Sequence, residues 1–143
     1  MKNILVDAGP LIALFDKDDR YHSITLKFLK DFHGNLITTW PVITEVMYML
    51  NFSINAQTDF LEWIRMDAVS IYPLEKQHLQ RIIELSQKYS DIPMDLADCS
   101  LIVIAELTGI YDILSIDSDY NIYRTKSKRQ LNNLLKPYMK KNY

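Results

Sequence analysis

Short apolar runs alternate along the chain with longer segments whose apolar residues recur every three to four positions. The first run, centred on Ile4-Leu5-Val6, is aliphatic and is followed by Gly9-Pro10, so residues 2–6 are predicted to form a buried strand that ends in a turn. A short helix is expected over 11–15 and a polar loop over 16–20. Ile24, Phe28, Leu29 and Phe32 have helical spacing, which places a helix over 21–32 with Gly34 as its stop. A second strand is read at 35–39, and Pro41 suits the first turn of an apolar helix over 42–50.

Further on, 58–66 reads as a helix and 68–72 as a third strand. An amphipathic helix is predicted over 75–89, with Leu79, Ile82, Ile83 and Leu85 inward. The segment 94–107 is helical and apolar nearly all round, and Gly109 ends it. A fourth strand at 112–116, a short fifth strand at 121–123 and a terminal helix over 128–139 complete the reading. Strands alternating with helices imply an α/β fold with a parallel sheet covered on both faces. With no repeat, low-complexity tract or internal boundary, residues 1–143 are expected to form one domain.

Composition narrows the classes. The single cysteine, Cys99, excludes an internal disulfide framework and a Cys-based zinc site, and it is expected to be a small core residue. Asp7 interrupts the first apolar run, so no signal-peptide core is read, and no stretch is long enough to span a membrane. The expected location is cytoplasmic. Net charge is only −2, but it is unevenly spread. Segment 124–143 holds 7 basic residues and no acid, leaving 9 basic against 18 acidic residues in the remainder. An acidic body beside a basic tail suits a chain that holds a cation in one place and phosphates in another; a solvated terminal helix is the alternative.

Four acids stand where acids are costly. Asp7 and Asp117 directly follow predicted strands, while Glu45 and Asp98 lie within apolar helical stretches. Asp95 and Asp98 are three apart, hence on one helical face, where two carboxylates repel unless they share a proton or a cation. Ligands of open parallel sheets bind beyond the carboxyl ends of the strands. There Asp7 and Asp117 can face one crevice, within reach of Glu45 and Asp98. Oxygen donors without His or Cys favour Mg²⁺ or Mn²⁺ over zinc. Taken singly, Asp7 also reads as a helix cap, and Asp117-Ser118-Asp119 as a plain turn.

These segments resemble the PIN-domain family, in particular its VapC-type toxins. Ile4–Leu14 is similar to the family's first motif, Thr44-Glu45-Val46 to the second, Asp95–Ile102 to the third and Ile113–Tyr120 to the fourth. The resemblance implies a three-layer α/β/α sandwich and endonucleolytic cleavage of RNA dependent on Mg²⁺ or Mn²⁺. Asp7 and Asp98 match the main metal ligands, Glu45 the second acid and Asp117 the fourth, with Asp95 and Asp119 beside them. Many members carry Ser or Thr where this chain has Gly9, so a hydroxyl that orients the first carboxylate is missing from that position. Ser115 keeps one near Asp117.

An acidic site repels a polyanion, so basic groups must hold the RNA backbone elsewhere; Arg124, Lys126, Lys128 and Arg129 are the candidates by charge. Tyr120 and Tyr123 are read as core residues, with stacking on unpaired bases as the alternative. The resemblance also implies an antitoxin protein as partner. Tyr48, Met49, Phe52, Phe60 and Trp63 are candidates for its groove or for a homodimer surface, about half of them being core. His22, His33 and His78 show no ligand spacing. The competing reading is a non-catalytic PIN-like module that binds protein or RNA. Receiver-type phosphoryl transfer ranks last, because no Lys follows the late strand and no phosphate-binding Gly-rich loop is present.

Overall fold

The computed structural model describes residues 2–140. Five parallel strands form one sheet in the order β3-β2-β1-β4-β5, and seven helices cover it as a three-layer α/β/α sandwich. The strands are β1 (Lys2–Val6), β2 (Gly34–Thr38), β3 (Val69–Ile71), β4 (Asp112–Leu114) and β5 (Asn132–Asn133). The helices are α1 (Ala8–Phe15), α2 (His22–Asp31), α3 (Trp40–Met49), α4 (Ile54–Arg65), α5 (Leu79–Lys88), α6 (Leu96–Thr108) and α7 (Lys136–Lys140). No helix among the described residues is long and apolar enough to cross a membrane.

The chain runs outward from β1 to β2 and β3, then returns to place β4 on the other side of β1. That reversal is a topological switch point, and it opens a crevice beyond the carboxyl ends of β1 and β4. Leu5 pairs with Ile37 on one side and Ile113 on the other, so both ladders of β1 are filled. Asp7 N donates to Leu114 O at 3.0 Å, carrying the ladder one residue past the strand. On the other side, the buried Thr38 donates its hydroxyl to Val6 O at 3.0 Å.

Local chemistry explains the boundaries. Pro41 sits in the first turn of α3, and Thr39 caps that helix by accepting from Val42 N. Asp95 caps α6, and Gly109 ends it at φ +74°, in the left-handed region that glycine tolerates. Ala97 through Ala105 are all buried, so α6 is the central helix of the core. Each large aliphatic buried there contributes roughly 1.5–3 kcal/mol, which offsets the penalty of holding Asp98 among them.

Several expectations are corrected. Gly34 does not stop α2; it opens β2, where any Cβ would collide with the carbonyl oxygen of Lys2. The stretch 121–123 is not a strand. Asn121 closes a 3-10 turn that begins at Ser118, and the fifth strand is instead Asn132–Asn133, paired with Asp112 and Ile113. Among the described residues the terminal helix begins only at Lys136 rather than at 128: Lys128 has φ +65° inside a tight turn closed by Thr125 and Arg129, and Asn132–Asn133 pairs as a strand. Segment 75–89 begins as a 3-10 turn, and its Leu79 and Ile83 face solvent while Leu85 is buried.

Candidate metal centre

The crevice at the β1–β4 boundary collects acids from three separate elements. Asp7 is delivered by the end of β1, Asp98 by the first turn of α6, and Asp117 by the loop after β4. One carboxylate oxygen from each lies within 4.8 Å of the others. Oxygens sharing a Mg²⁺ at about 2.1 Å are at most about 4.2 Å apart, so a small side-chain adjustment brings this set to one ion. The donors are hard oxygens, with no His or Cys among them.

Each carboxylate is held by a donor of the protein. Ser115 donates its hydroxyl to Asp7 Oδ2 at 3.2 Å and accepts the amide of Asp117 at 3.0 Å. Asp98 receives the Tyr120 hydroxyl on Oδ1 at 3.1 Å and the Tyr123 hydroxyl on Oδ2 at 3.2 Å. Asp117 Oδ1 accepts from Asp119 N at 2.9 Å, and Asp95 Oδ1 from Asp98 N at 2.9 Å. The turn reading of Asp117 thus holds for one of its oxygens, and Asp95 uses one of its own to cap α6. Asp7 occupies the cap position of α1 but makes no capping bond there.

Electrostatics mark the cluster as short of positive charge. Burial, then the charge of Asp98, pushes the Asp7 carboxyl up to about 8. Burial, then the charge of Asp95, pushes Asp98 up to about 7. Glu45 is raised by burial and by Asp95 and Asp117. Carboxyls raised together in this way are relieved by a shared cation.

A cavity of about 340 Å³ surrounds the three acids and is also lined by Glu45, Asp95 and Asp119. The structure therefore brings all six predicted acids to one site, with Glu45, Asp95 and Asp119 outside the tight group. Gly9 lines the same cavity; a Cβ there would press on Ile116 at 3.2 Å, and the hydroxyl expected near Asp7 comes from Ser115 instead.

No basic residue is among those lining this cavity. Arg124 donates to the carbonyls of Asn121 and Tyr123, and Lys126 is exposed with its amide on Glu106 near the far end of α6. That point is eight residues along α6 from Asp98, about 12 Å. Lys128 is exposed, and Arg129 stacks on Tyr111 at 3.8 Å, beside the amino end of β4. Tyr120 and Tyr123 are buried at 2 % and 0 % exposure, which removes base stacking and leaves the core role. Their grip on Asp98 had no local signal, since the partners are 22 and 25 residues apart.

A second cavity, about 650 Å³, adjoins the acidic one, sharing Glu45 and Asp95 with it and adding Trp40, Pro41, Tyr48 and Leu96. Tyr48, Met49 and Phe52 are exposed, whereas Phe60 is fully buried and Trp63 packs edge-on against Phe15.

Comparison with known proteins gives a consistent result. The sequence matches the PIN domain family over residues 4–127. No curated protein gives a significant match. Among solved structures, VapC20 of Mycobacterium tuberculosis, a sarcin-ricin loop cleaving toxin, is similar with a TM-score of 0.75 at 17 % identity, covering 83 % of this chain and 93 % of that one. A toxin–antitoxin complex from Klebsiella pneumoniae is similar with a TM-score of 0.59 at 17 % identity, covering 80 % and 87 %. At that identity the likeness concerns the fold.

Proposed function

The chain belongs to the PIN-domain family, and from that premise we propose that it is a divalent-metal-dependent endoribonuclease that hydrolyses RNA phosphodiester bonds as the toxin of a toxin–antitoxin pair. The observation that carries the reading is the meeting of Asp7, Asp98 and Asp117 within 4.8 Å at the switch point of the sheet. A non-catalytic module has little use for two desolvated carboxylates, Asp7 and Asp98, beside the exposed Asp117 in one crevice.

Asp7 and Asp98 are the principal holders of Mg²⁺ or Mn²⁺, and Asp117 completes the set. The bound ion would neutralise charge at the phosphate and make water a stronger nucleophile. Ser115 keeps the Asp7 carboxylate oriented before substrate arrives. Glu45 is half-buried with a raised carboxyl, which suits it to accept a proton from the attacking water. Lys126 and Arg124 are the basic residues assigned to the RNA backbone, outside the acidic cavity.

The partner reading rests on the apolar groove. It runs from Trp40, Tyr48 and Leu96 directly into the acidic cavity through Glu45 and Asp95. An antitoxin peptide or helix with an apolar face, laid there, would cover the site. The likeness of the fold to a chain of a toxin–antitoxin complex agrees with this.

The test is cleavage of a structured RNA by the purified protein with Mg²⁺, with Mn²⁺ and with EDTA, alongside Asp98→Asn. The reading requires cleavage with either metal and its loss in EDTA and in D98N. Full activity in EDTA would reject it.

A further inference from the structure

We propose that Tyr120 and Tyr123 are positioning residues, their two hydroxyls fixing the two oxygens of Asp98 for cation capture. The inference rests on the metal-site reading above and deepens it.

Asp98 receives one phenol on each oxygen, from Tyr120 at 3.1 Å and from Tyr123 at 3.2 Å. A carboxylate has about four acceptor sites. One on each oxygen is taken, and the remainder can face the cavity. Two donors on opposite oxygens also stop the group from rotating about its terminal bond, which a single donor would allow.

The source of the two donors matters as much as their number. Tyr120 lies in the 3-10 turn Ser118–Asn121, and Tyr123 follows it three residues later. The cap of that turn is Asp117, whose Oδ1 accepts from Asp119 N. One short segment therefore presents Asp117 to the site and grips Asp98 from the other side. The separation of two of the three acids is set by that turn rather than by the sheet alone.

The rings cannot swing away. Tyr120 and Tyr123 pack edge to face at 5.4 Å, and Tyr123 packs on Tyr89 at 5.2 Å. A phenol carries its proton at neutral pH, so both hydroxyls donate. Tyr89 belongs to the same aromatic cluster but accepts from Arg124 N at 2.9 Å through its hydroxyl oxygen. It supplies an internal control: a neighbouring phenol whose loss leaves Asp98 untouched.

The experiment is calorimetric titration of the full chain with Mn²⁺, for the wild type, Tyr120→Phe, Tyr123→Phe, the double variant and Tyr89→Phe. Each melting temperature is recorded in EDTA. Phenylalanine keeps the ring and its packing, so only the hydroxyl is lost. Removing an outer partner of a metal ligand typically weakens affinity about 10- to 100-fold. The single variants are expected near the lower figure and the double variant near the upper one. Tyr89→Phe should leave the affinity unchanged, and the Mn²⁺ concentration for half-maximal RNA cleavage should shift in step with the affinity. Wild-type Mn²⁺ affinity in a folded double variant overturns the proposal while leaving the nuclease reading intact. Should the double variant not fold, Tyr123→Phe alone decides by the same criterion. A wild-type protein that binds no Mn²⁺ overturns both.

Discussion

Ser115 donates its hydroxyl to Asp7 at 3.2 Å, although the two residues stand 108 positions apart in the chain. The same oxygen accepts the amide of Asp117, so one buried serine spans two acids of the site. Ser115→Ala leaves a buried carboxylate short of a donor. It should destabilise the protein by about 1–3 kcal/mol in chemical denaturation and weaken Mn²⁺ binding by roughly 10-fold. Unchanged metal affinity in S115A would show that the serine only packs.

Asn133 holds that serine in turn. Its side chain accepts from Ser115 N at 3.2 Å and Leu135 N at 3.1 Å, and donates to Ser115 O at 2.8 Å, extending the β4–β5 pairing past its last residue. Asn133→Ala is expected to destabilise by about 1–3 kcal/mol and to lower metal affinity along with it. The exposed neighbour Asn132, whose side chain donates to Asp112 Oδ1 at 3.0 Å, is the comparison. Asn132→Ala should stay within about 0.5 kcal/mol of wild type.

The raised carboxyls of Asp7 and Asp98 make stability fall with pH when metal is removed. Their folded values, about 8 and about 7, lie above the ordinary carboxylate value, so the folded chain binds more protons than the unfolded one. Their contribution is fully present below about pH 4 and is lost as pH rises through 7 and 8. In EDTA at pH 8, Asp7→Asn should be more stable than wild type by about 1–3 kcal/mol, with the gap closing toward pH 5. Saturating Mg²⁺ should reverse the order, because the ion stabilises only the protein that binds it. Melting curves at the two pH values, with and without Mg²⁺, check all four statements.

Lys126 is exposed and lies outside the acidic cavity. If it contacts one RNA phosphate, Lys126→Ala should reduce the salt dependence of binding by about 0.7 in the slope of log affinity against log salt. An unchanged slope would remove Lys126 from the RNA path.

Much of the site could be read from residue order, for physical reasons. Asp7 and Asp117 announce themselves by ending aliphatic runs, and a parallel sheet sends both ends to one edge. Asp98 was visible because an acid within Leu96–Ala105 has no other easy explanation. The hydroxyls were harder. Residue order puts Ser115 beside Asp117, and its hydroxyl also reaches Asp7. Tyr120 and Tyr123 looked like ordinary core, because nothing local marks a phenol whose acceptor lies on a different helix.

The C-terminal segment shows how periodicity misleads. Leu131, Leu134, Leu135 and Tyr138 follow helical spacing, yet Asn132–Asn133 is a strand, and among the described residues the helix starts at Lys136. Two asparagines carry no strand signature of their own. Pairing with β4 and the burial of Leu131 and Leu135 decide the matter from outside the segment. Helical spacing puts Leu79 and Ile83 inward by a similar argument, yet they lie at 47 % and 50 % exposure. Leu79 lines a cavity of about 280 Å³ next to Trp40 and Leu96, while Leu85 of the same helix is fully buried in the core.

Anomalous diffraction from Mn²⁺-soaked crystals locates the ion itself. A single strong peak is predicted among the carboxylates of Asp7, Asp98 and Asp117, with Mn–O distances of about 2.0–2.2 Å. A crystal that takes up Mn²⁺ elsewhere, or leaves this crevice without a peak at saturating Mn²⁺, would contradict a shared cation at the carboxyl edge of the sheet.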